Sequence, residues 1–238
     1  GFTPAGSPKA LPTAIAQRAC EQHQNGQPFQ IRLLTGASIG AAADDALSAA
    51  DAVSWRAPYQ TSSGLREKIN QGQVRFVDLH LSEVAQMVNY GFFGEIDVAV
   101  IEASAIAPDG RIWLSSGIGN APTWLLRAKK VIIELNHYHN PRVAEFADIV
   151  IPGAPPRRNS VPIFHTMDRV GSQCVQIDPK KVVAVVDTEL PDAGNASDKT
   201  NPVSQQIADN VVTFLLAEMA HKRIPAEFLP LQSGVGNI

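Results

Sequence analysis

Residues 97–102, Asp-Val-Ala-Val-Ile-Glu, form a short apolar run closed at each end by an acidic residue. A run this short is strand length rather than helix length. Apolar side chains at consecutive positions point to both faces of a strand, so the run demands a central place in a sheet covered on both sides. Few folds meet that demand. Residues 131–135, Val-Ile-Ile-Glu-Leu, read as a second buried strand. Between the two, Pro108-Asp109-Gly110 has turn chemistry and residues 111–114 return as a strand, which together read as a hairpin.

Around this centre the chain alternates between helical and extended patterns. Residues 13–24 place Ile15, Ala16, Ala19 and Cys20 at helical spacing, with Pro8 and Pro12 bracketing the entry and Asn25-Gly26 closing it. Residues 29–34 read as a strand that ends in a small-residue turn over 35–40 and leads into an alanine-rich helical segment, 41–50. Residues 58–64 are turn-rich, 65–70 a short helix and 74–78 a strand, and Ser82 with Glu83 opens a helix that runs to Gly91. Further on, residues 115–120 lead into a helix through Trp124, and residues 149–151, 175–178 and 182–186 read as short strands. Residues 152–158 are irregular, 190–200 form a polar surface loop, and Pro202 opens a long amphipathic helix over 203–221. Such alternation argues for an α/β fold, an open, largely parallel sheet with helices on both faces. Ligands in that class sit where loops leave the carboxyl ends of strands, which singles out residues 35–40 and 115–120.

Composition narrows the function classes. At 238 residues with 45% hydrophobic and 18% charged content, the chain is ordinary globular protein, enough for one large domain or two small ones. The net charge of −3 and the scattered basic pairs Lys129-Lys130, Arg157-Arg158, Lys180-Lys181 and Lys222-Arg223 argue against nucleic acid or an anionic membrane as partner. No run approaches the roughly 18 apolar residues of a membrane helix. Cys20 and Cys174 lie far apart without metal spacing and read as free buried thiols in a reducing compartment, which suits the cytoplasm.

Several stretches carry candidate chemistry. Gly1-Phe2-Thr3-Pro4-Ala5-Gly6-Ser7-Pro8 is a stiff loop with exposed amides, and Gly234-Val235-Gly236-Asn237 lets backbone approach a ligand closely because neither glycine carries a Cβ. The latter lacks the third glycine and the downstream acid of a dinucleotide fingerprint, and no Walker phosphate loop occurs. His137 and His139 could flank a cation, but no third ligand stands at a defined spacing, so no metal is expected. His165, Asp168 and Arg169 read as a surface or structural cluster. Glu102 and Glu134 each close a buried strand, where a carboxylate points into a functional rim or takes a structural role with a nearby amide or Arg.

Taken together these stretches resemble the acetyl-CoA hydrolase/transferase family, a branch of the class I CoA-transferases. The resemblance rests on the opening glycine-phenylalanine loop and on residues 97–102 with Pro108-Asp109-Gly110. It continues through residues 131–136, Asp168-Arg169-Val170-Gly171 and the closing block over 229–238. It implies the CoA-transferase, sugar-phosphate isomerase-like fold. Residues 1–228 would be an N-terminal domain lacking its first strand, and residues 229–238 the start of a similar C-terminal domain whose remainder is absent. The resemblance further implies transfer of CoA between a short-chain acyl-CoA and a carboxylate through a glutamyl-CoA thioester, with coenzyme A as substrate and no cofactor. Gly234, Val235, Gly236, Asn237 and Ile238 then match the CoA-binding segment, with the Val235 amide as oxyanion donor. Thr3, Pro4, Ala5 and Gly6 form the substrate loop, and the nucleophilic glutamate falls beyond Ile238. Neither Glu102 nor Glu134 is promoted to nucleophile. The expected partners are the acyl-CoA, a small carboxylate, the missing C-terminal half and a second copy in a homo-oligomer. The expected location is the cytoplasm, or the mitochondrion in a eukaryote. The alternatives are an acyl-CoA hydrolase of the same family and a non-catalytic ligand-sensing domain of related fold.

Overall fold

The computed structural model describes residues 5–38, 41–153, 155–192 and 201–227. It divides into two compact units, Gly1–Gly194 and Asn195–Ile238. The described part of the first unit contains α1 (Ala10–Gln24), β1 (Ile31–Ala37), α2 (Ala41–Ala49), β2 (Val53–Tyr59) and α3 (Ser63–Asn70). Then come β3 (Arg75–Phe76), α4 (Leu81–Asn89), β4 (Ile96–Ile106), β5 (Arg111–Leu114), α5 (Ala121–Arg127), β6 (Ala128–Asn136), β7 (Val175–Gln176) and β8 (Val182–Thr188). The second unit contains α6 (Pro202–Ala220), whose N-terminus is capped by Asn201 Oδ1, accepting from the amides of Val203 and Ser204 at 3.0 and 2.9 Å. Among the described residues no helix is long and apolar enough to cross a membrane.

The class is α/β, as the alternation implies, but the strands form two sheets rather than one. β1, β2 and β3 make a parallel three-stranded sheet in that order. The second sheet has the order β7-β5-β4-β6-β8, in which β4, β6 and β8 are parallel and β5 and β7 run against them. The expected hairpin is present: β4 pairs antiparallel with β5 across the 107–110 turn, where Gly110 N donates to Ala107 O at 3.0 Å. Each sheet has its own apolar core. Leu47, Ala52, Val53, Leu65 and Val74 pack with Ala16 and Ala19 of α1 against the first sheet, whereas Ile101, Ile112, Leu114, Leu125, Val131 and Ile133 fill the second.

The small sheet departs most from expectation. Residues 35–37 continue β1 instead of turning, and residues 53–59, which carry no alternation, form β2. Inside β2 stands Arg56, fully buried, which fits no apolar strand pattern. Its Nε and Nη2 donate to the two carboxylate oxygens of Asp44 at 3.0 and 3.1 Å, and Nη2 also reaches Tyr59 O at 3.1 Å. A bidentate partner and carbonyl acceptors are what allow a guanidinium to be buried. Residues 149–151 are not a strand; Ile149 alone makes an isolated bridge, to Ser172. Neither cysteine is the buried thiol expected: Cys20 is exposed, because position 20 falls on the solvent side of α1 beside buried Ala19, and Cys174 is half-buried.

Candidate functional site

The β4 run is not apolar on both faces in the way its composition suggests. Ala99, Ile101 and Ala103 point into the core, while Val98, Val100, Glu102 and Ser104 alternate onto the other face. Val98 is 46% exposed, so that face is closed only toward Glu102 and Ser104. What closes it is a polar cluster. Glu102 of β4 and Glu134 of β6 are register partners on adjacent parallel strands and are 1% and 0% exposed. Neither ends its strand, contrary to the sequence reading, since β4 runs on to Ile106 and β6 to Asn136.

Two acidic side chains on one face of neighbouring strands, about 5 Å apart by strand spacing, repel unless something compensates them. The N-terminus of α1 supplies that compensation. Lys9 precedes the helix with no side-chain cap of its own. Glu134 takes the capping role from across the fold: its Oε1 accepts from Lys9 N at 2.9 Å, and its Oε2 accepts from Ala10 N and Leu11 N, each at 3.1 Å. The next residue, Pro12, has no amide hydrogen to satisfy. All the unpaired donors of the first turn therefore converge on one buried carboxylate, where the helix dipole also favours negative charge.

Lys9 then turns its ammonium to Glu102, with which it makes a short contact, and to Asp192 Oδ1 at 2.9 Å. Burial by itself would lower the Lys9 ammonium, but its contacts with Glu102 and Asp192 outweigh that and hold it above the usual lysine value. Burial likewise pushes Asp192 up, yet hydrogen bonds from Ser116 and Lys9, the Lys9 charge and the Gly6 amide bring it below the usual carboxylate value. Glu102 receives further donors from Ser115 Oγ and from Asn136 Nδ2, the latter at 3.1 Å. Asn136 is itself fixed by Leu190, donating to its carbonyl at 2.7 Å and accepting from its amide at 3.0 Å. His139 Nε2 lies 3.4 Å from Glu102 Oε1 and 3.5 Å from Asp192 Oδ1, without hydrogen-bond alignment to either.

The cluster fixes the course of the loop before α1. Gly6 N donates to Asp192 Oδ1 at 3.3 Å, and Ser116 Oγ donates to Asp192 Oδ2. Gly6 has φ +70°, and a Cβ there would stand 2.3 Å from Gly117 N; a Cβ on Gly117 would stand 2.2 Å from Ala5 O. Only two glycines let these backbones cross so closely. Residues 115–120 leave the antiparallel β5 and run beside Glu102 and Asp192; Asp192 lies past the carboxyl end of β8, so Ser115 and Ser116 stand at the carboxyl rim of the parallel set, as expected for them.

Of the residues singled out by sequence, Ala5 and Gly6 fall beside this cluster. Thr3 and Pro4 lie outside the described residues, as do Gly234, Val235, Gly236, Asn237 and Ile238. Ile39 and Gly40 of the 35–40 segment lie outside them too. His137 is exposed and pairs with Asp187 at 2.7 Å, away from His139. Asp168 is a loop brace as expected: its Oδ2 accepts from Phe164 N and His165 N at 2.8 and 2.9 Å, bonds that hold its carboxyl below the usual range. Arg169 donates to the carbonyls of Glu145 and Ala147 at 2.8 and 2.6 Å. Sequence reasoning missed Lys9 and Asp192 as site residues, whereas Ser115 opens the 115–120 loop that it singled out. Lys9 carries a weak signal, being a cation just before a proline-marked helix start, whereas Asp192 sits in an aperiodic polar loop and carries none.

Comparison with known proteins places this architecture. Against solved structures, RipA from Yersinia pestis superposes with a TM-score of 0.56 at 17% identity, covering 88% of this chain and 43% of that one, which speaks to the fold alone. Propanoyl-CoA:succinate CoA transferase of Escherichia coli K12 is 85% identical over all 238 residues, which are 48% of its length. Succinyl-CoA:acetate CoA-transferase of Clostridium kluyveri is 39% identical over the whole chain, which is 44% of its length. Acetyl-CoA hydrolase of Neurospora crassa is 35% identical, with 46% of its length matched. The chain thus spans about half the length of the curated relatives it matches. Residues 1–187 match the profile described as the acetyl-CoA hydrolase/transferase N-terminal domain, and the chain belongs to that family.

Proposed function

We propose that this chain is the N-terminal portion of a CoA-transferase that moves CoA between a short-chain acyl-CoA and a carboxylate, with propanoyl-CoA and succinate as the favoured pair. The observation that carries the reading is the 85% identity, across the whole chain, to the Escherichia coli propanoyl-CoA:succinate CoA transferase. A carboxylate is a weak nucleophile toward a thioester, so the chemistry needs an accessible glutamate and amides aimed at the developing oxyanion. Neither buried glutamate here suits that task. Glu134 is taken up by the first turn of α1, and Glu102 by Lys9, Ser115 and Asn136. Their role is to hold the 5–9 loop, while the nucleophile comes from sequence beyond Ile238. The Val235 amide serves as oxyanion donor, and Gly234, Gly236, Asn237 and Ile238 line the CoA path. Coenzyme A is a substrate and no further cofactor is required. The protein works in the cytoplasm as a homo-oligomer.

The test is an exchange assay on the full-length protein that contains this chain. With propanoyl-CoA and succinate it should form succinyl-CoA, and omitting succinate should abolish turnover. Free CoA released at an undiminished rate without a carboxylate acceptor would replace the transferase with the family's hydrolase activity. No turnover with any short-chain acyl-CoA would remove the proposal altogether.

A further inference from the structure

Among the described residues, a buried nitrogen of the polar cluster has no hydrogen-bond partner. His139 Nε2 is buried without a hydrogen bond, on a side chain only 10% exposed, and faces two acidic oxygens. Glu102 Oε1 and Asp192 Oδ1 stand 3.4 and 3.5 Å from it. All three ligand-bearing groups offer atoms within 4.8 Å of one another. Two ligands each about 2.05 Å from a tetrahedral metal lie about 3.3 Å apart, which is close to the two nitrogen–oxygen separations found here.

We propose that Glu102, His139 and Asp192 form a binding site for a divalent transition metal of the Zn2+ or Co2+ type, with the Lys9 ammonium as the built-in competing cation. An imidazole nitrogen with two carboxylate oxygens suits these borderline ions better than Ca2+ or Mg2+, which prefer all-oxygen shells. Lys9 meets Glu102 through Oε2 and shares only Asp192 Oδ1 with the metal, so the ion displaces one of its two contacts. Two acidic groups here face one ammonium, which leaves room for further positive charge. His137 and His139, two apart in sequence, give no ligand set; the third ligand comes from a residue 53 positions beyond His139, which no local spacing could reveal. The site stands independently of the acyl-transfer reading, because its test needs no acyl-CoA.

Titration of the full-length protein that contains this chain with Co2+, followed by visible absorption, tests it. One saturable site with the intense d–d bands of a low-coordinate centre is expected. His139→Gln should remove it, whereas His137→Gln, at the exposed histidine paired with Asp187, should leave it unchanged. Asp192→Asn, at a less buried position than Glu102, should weaken binding without disturbing the core. Lys9→Met should tighten it by about tenfold or more, since the competing charge is gone. If Lys9→Met lowers stability, Zn2+ should restore it in that variant but not in Lys9→Met/His139→Gln. Absence of saturable absorption in both wild type and Lys9→Met, binding insensitive to His139→Gln, or weaker binding in Lys9→Met would each overturn the assignment.

Discussion

Replacing Glu134 by Leu tests whether a buried carboxylate on β6 is the N-cap of α1. The side chain is of similar volume and keeps the core filled, but it removes the acceptor of the Lys9, Ala10 and Leu11 amides. A buried donor left without a partner costs about 1–3 kcal/mol, so the three donors together set the scale of the loss at about 3–9 kcal/mol. One effect opposes it. Removing Glu134 relieves its repulsion with Glu102, at most about 3 kcal/mol for charges about 5 Å apart at an effective permittivity near 20. Water reaching the frayed first turn recovers part of the rest, and a net loss of about 2–4 kcal/mol is expected. Urea unfolding gives the global value, and hydrogen exchange locates it. Protection should fall at Ala10 and Leu11, while the Leu65 amide, bonded to Ser62 Oγ at 3.0 Å in a separate cap, serves as internal reference. A loss under about 0.5 kcal/mol, within the range of an ordinary surface substitution, together with unchanged Ala10 exchange would refute the capping role.

Other outcomes follow from the same structure. Asp44→Ala strands the fully buried Arg56 guanidinium and should destabilise by about 3–5 kcal/mol, measured by urea unfolding; a change under about 1 kcal/mol would show that the pair is dispensable. Gly110→Ala places a Cβ 2.1 Å from Ile177 O at φ +90°, so the hairpin must shift; an unaltered melting temperature would contradict the close approach. For the cluster, the raised Lys9 value means a contribution fully present below about pH 10.4 and lost as pH rises through the folded value. The lowered Asp192 value means a contribution present above about pH 3.9 and lost as pH falls through the folded value. Asp192→Asn should therefore flatten the acid limb of stability against pH, and identical acid limbs in both proteins would contradict it.

The sequence showed the second sheet far better than the first. The 97–102 and 131–135 runs and the Pro108-Asp109-Gly110 turn are local signals, and each became the expected strand or turn because its own residues determine it. β2 was hidden because Arg56 interrupts its apolar pattern, and the Asp44 partner that makes the interruption tolerable lies on a different element. At the site, Glu102 and Glu134 were visible as candidates, but their roles were not. Glu134 acts on a helix more than a hundred residues earlier, and Lys9, Asp192 and His139 meet only through tertiary folding. Strand register decides that the two glutamates share a face, and no composition rule supplies register.

The proposed function requires that this chain supply part of the acyl-transfer site while the nucleophile lies outside it. Incubating the full-length protein with propanoyl-CoA, trapping the glutamyl thioester with borohydride and mapping the reduced residue by peptide mass spectrometry addresses it directly. The reduced glutamate should lie outside residues 1–238. Reduction at Glu102 or Glu134 would contradict the claim, since it would mean that a carboxylate buried under Lys9 or α1 opens to attack the thioester.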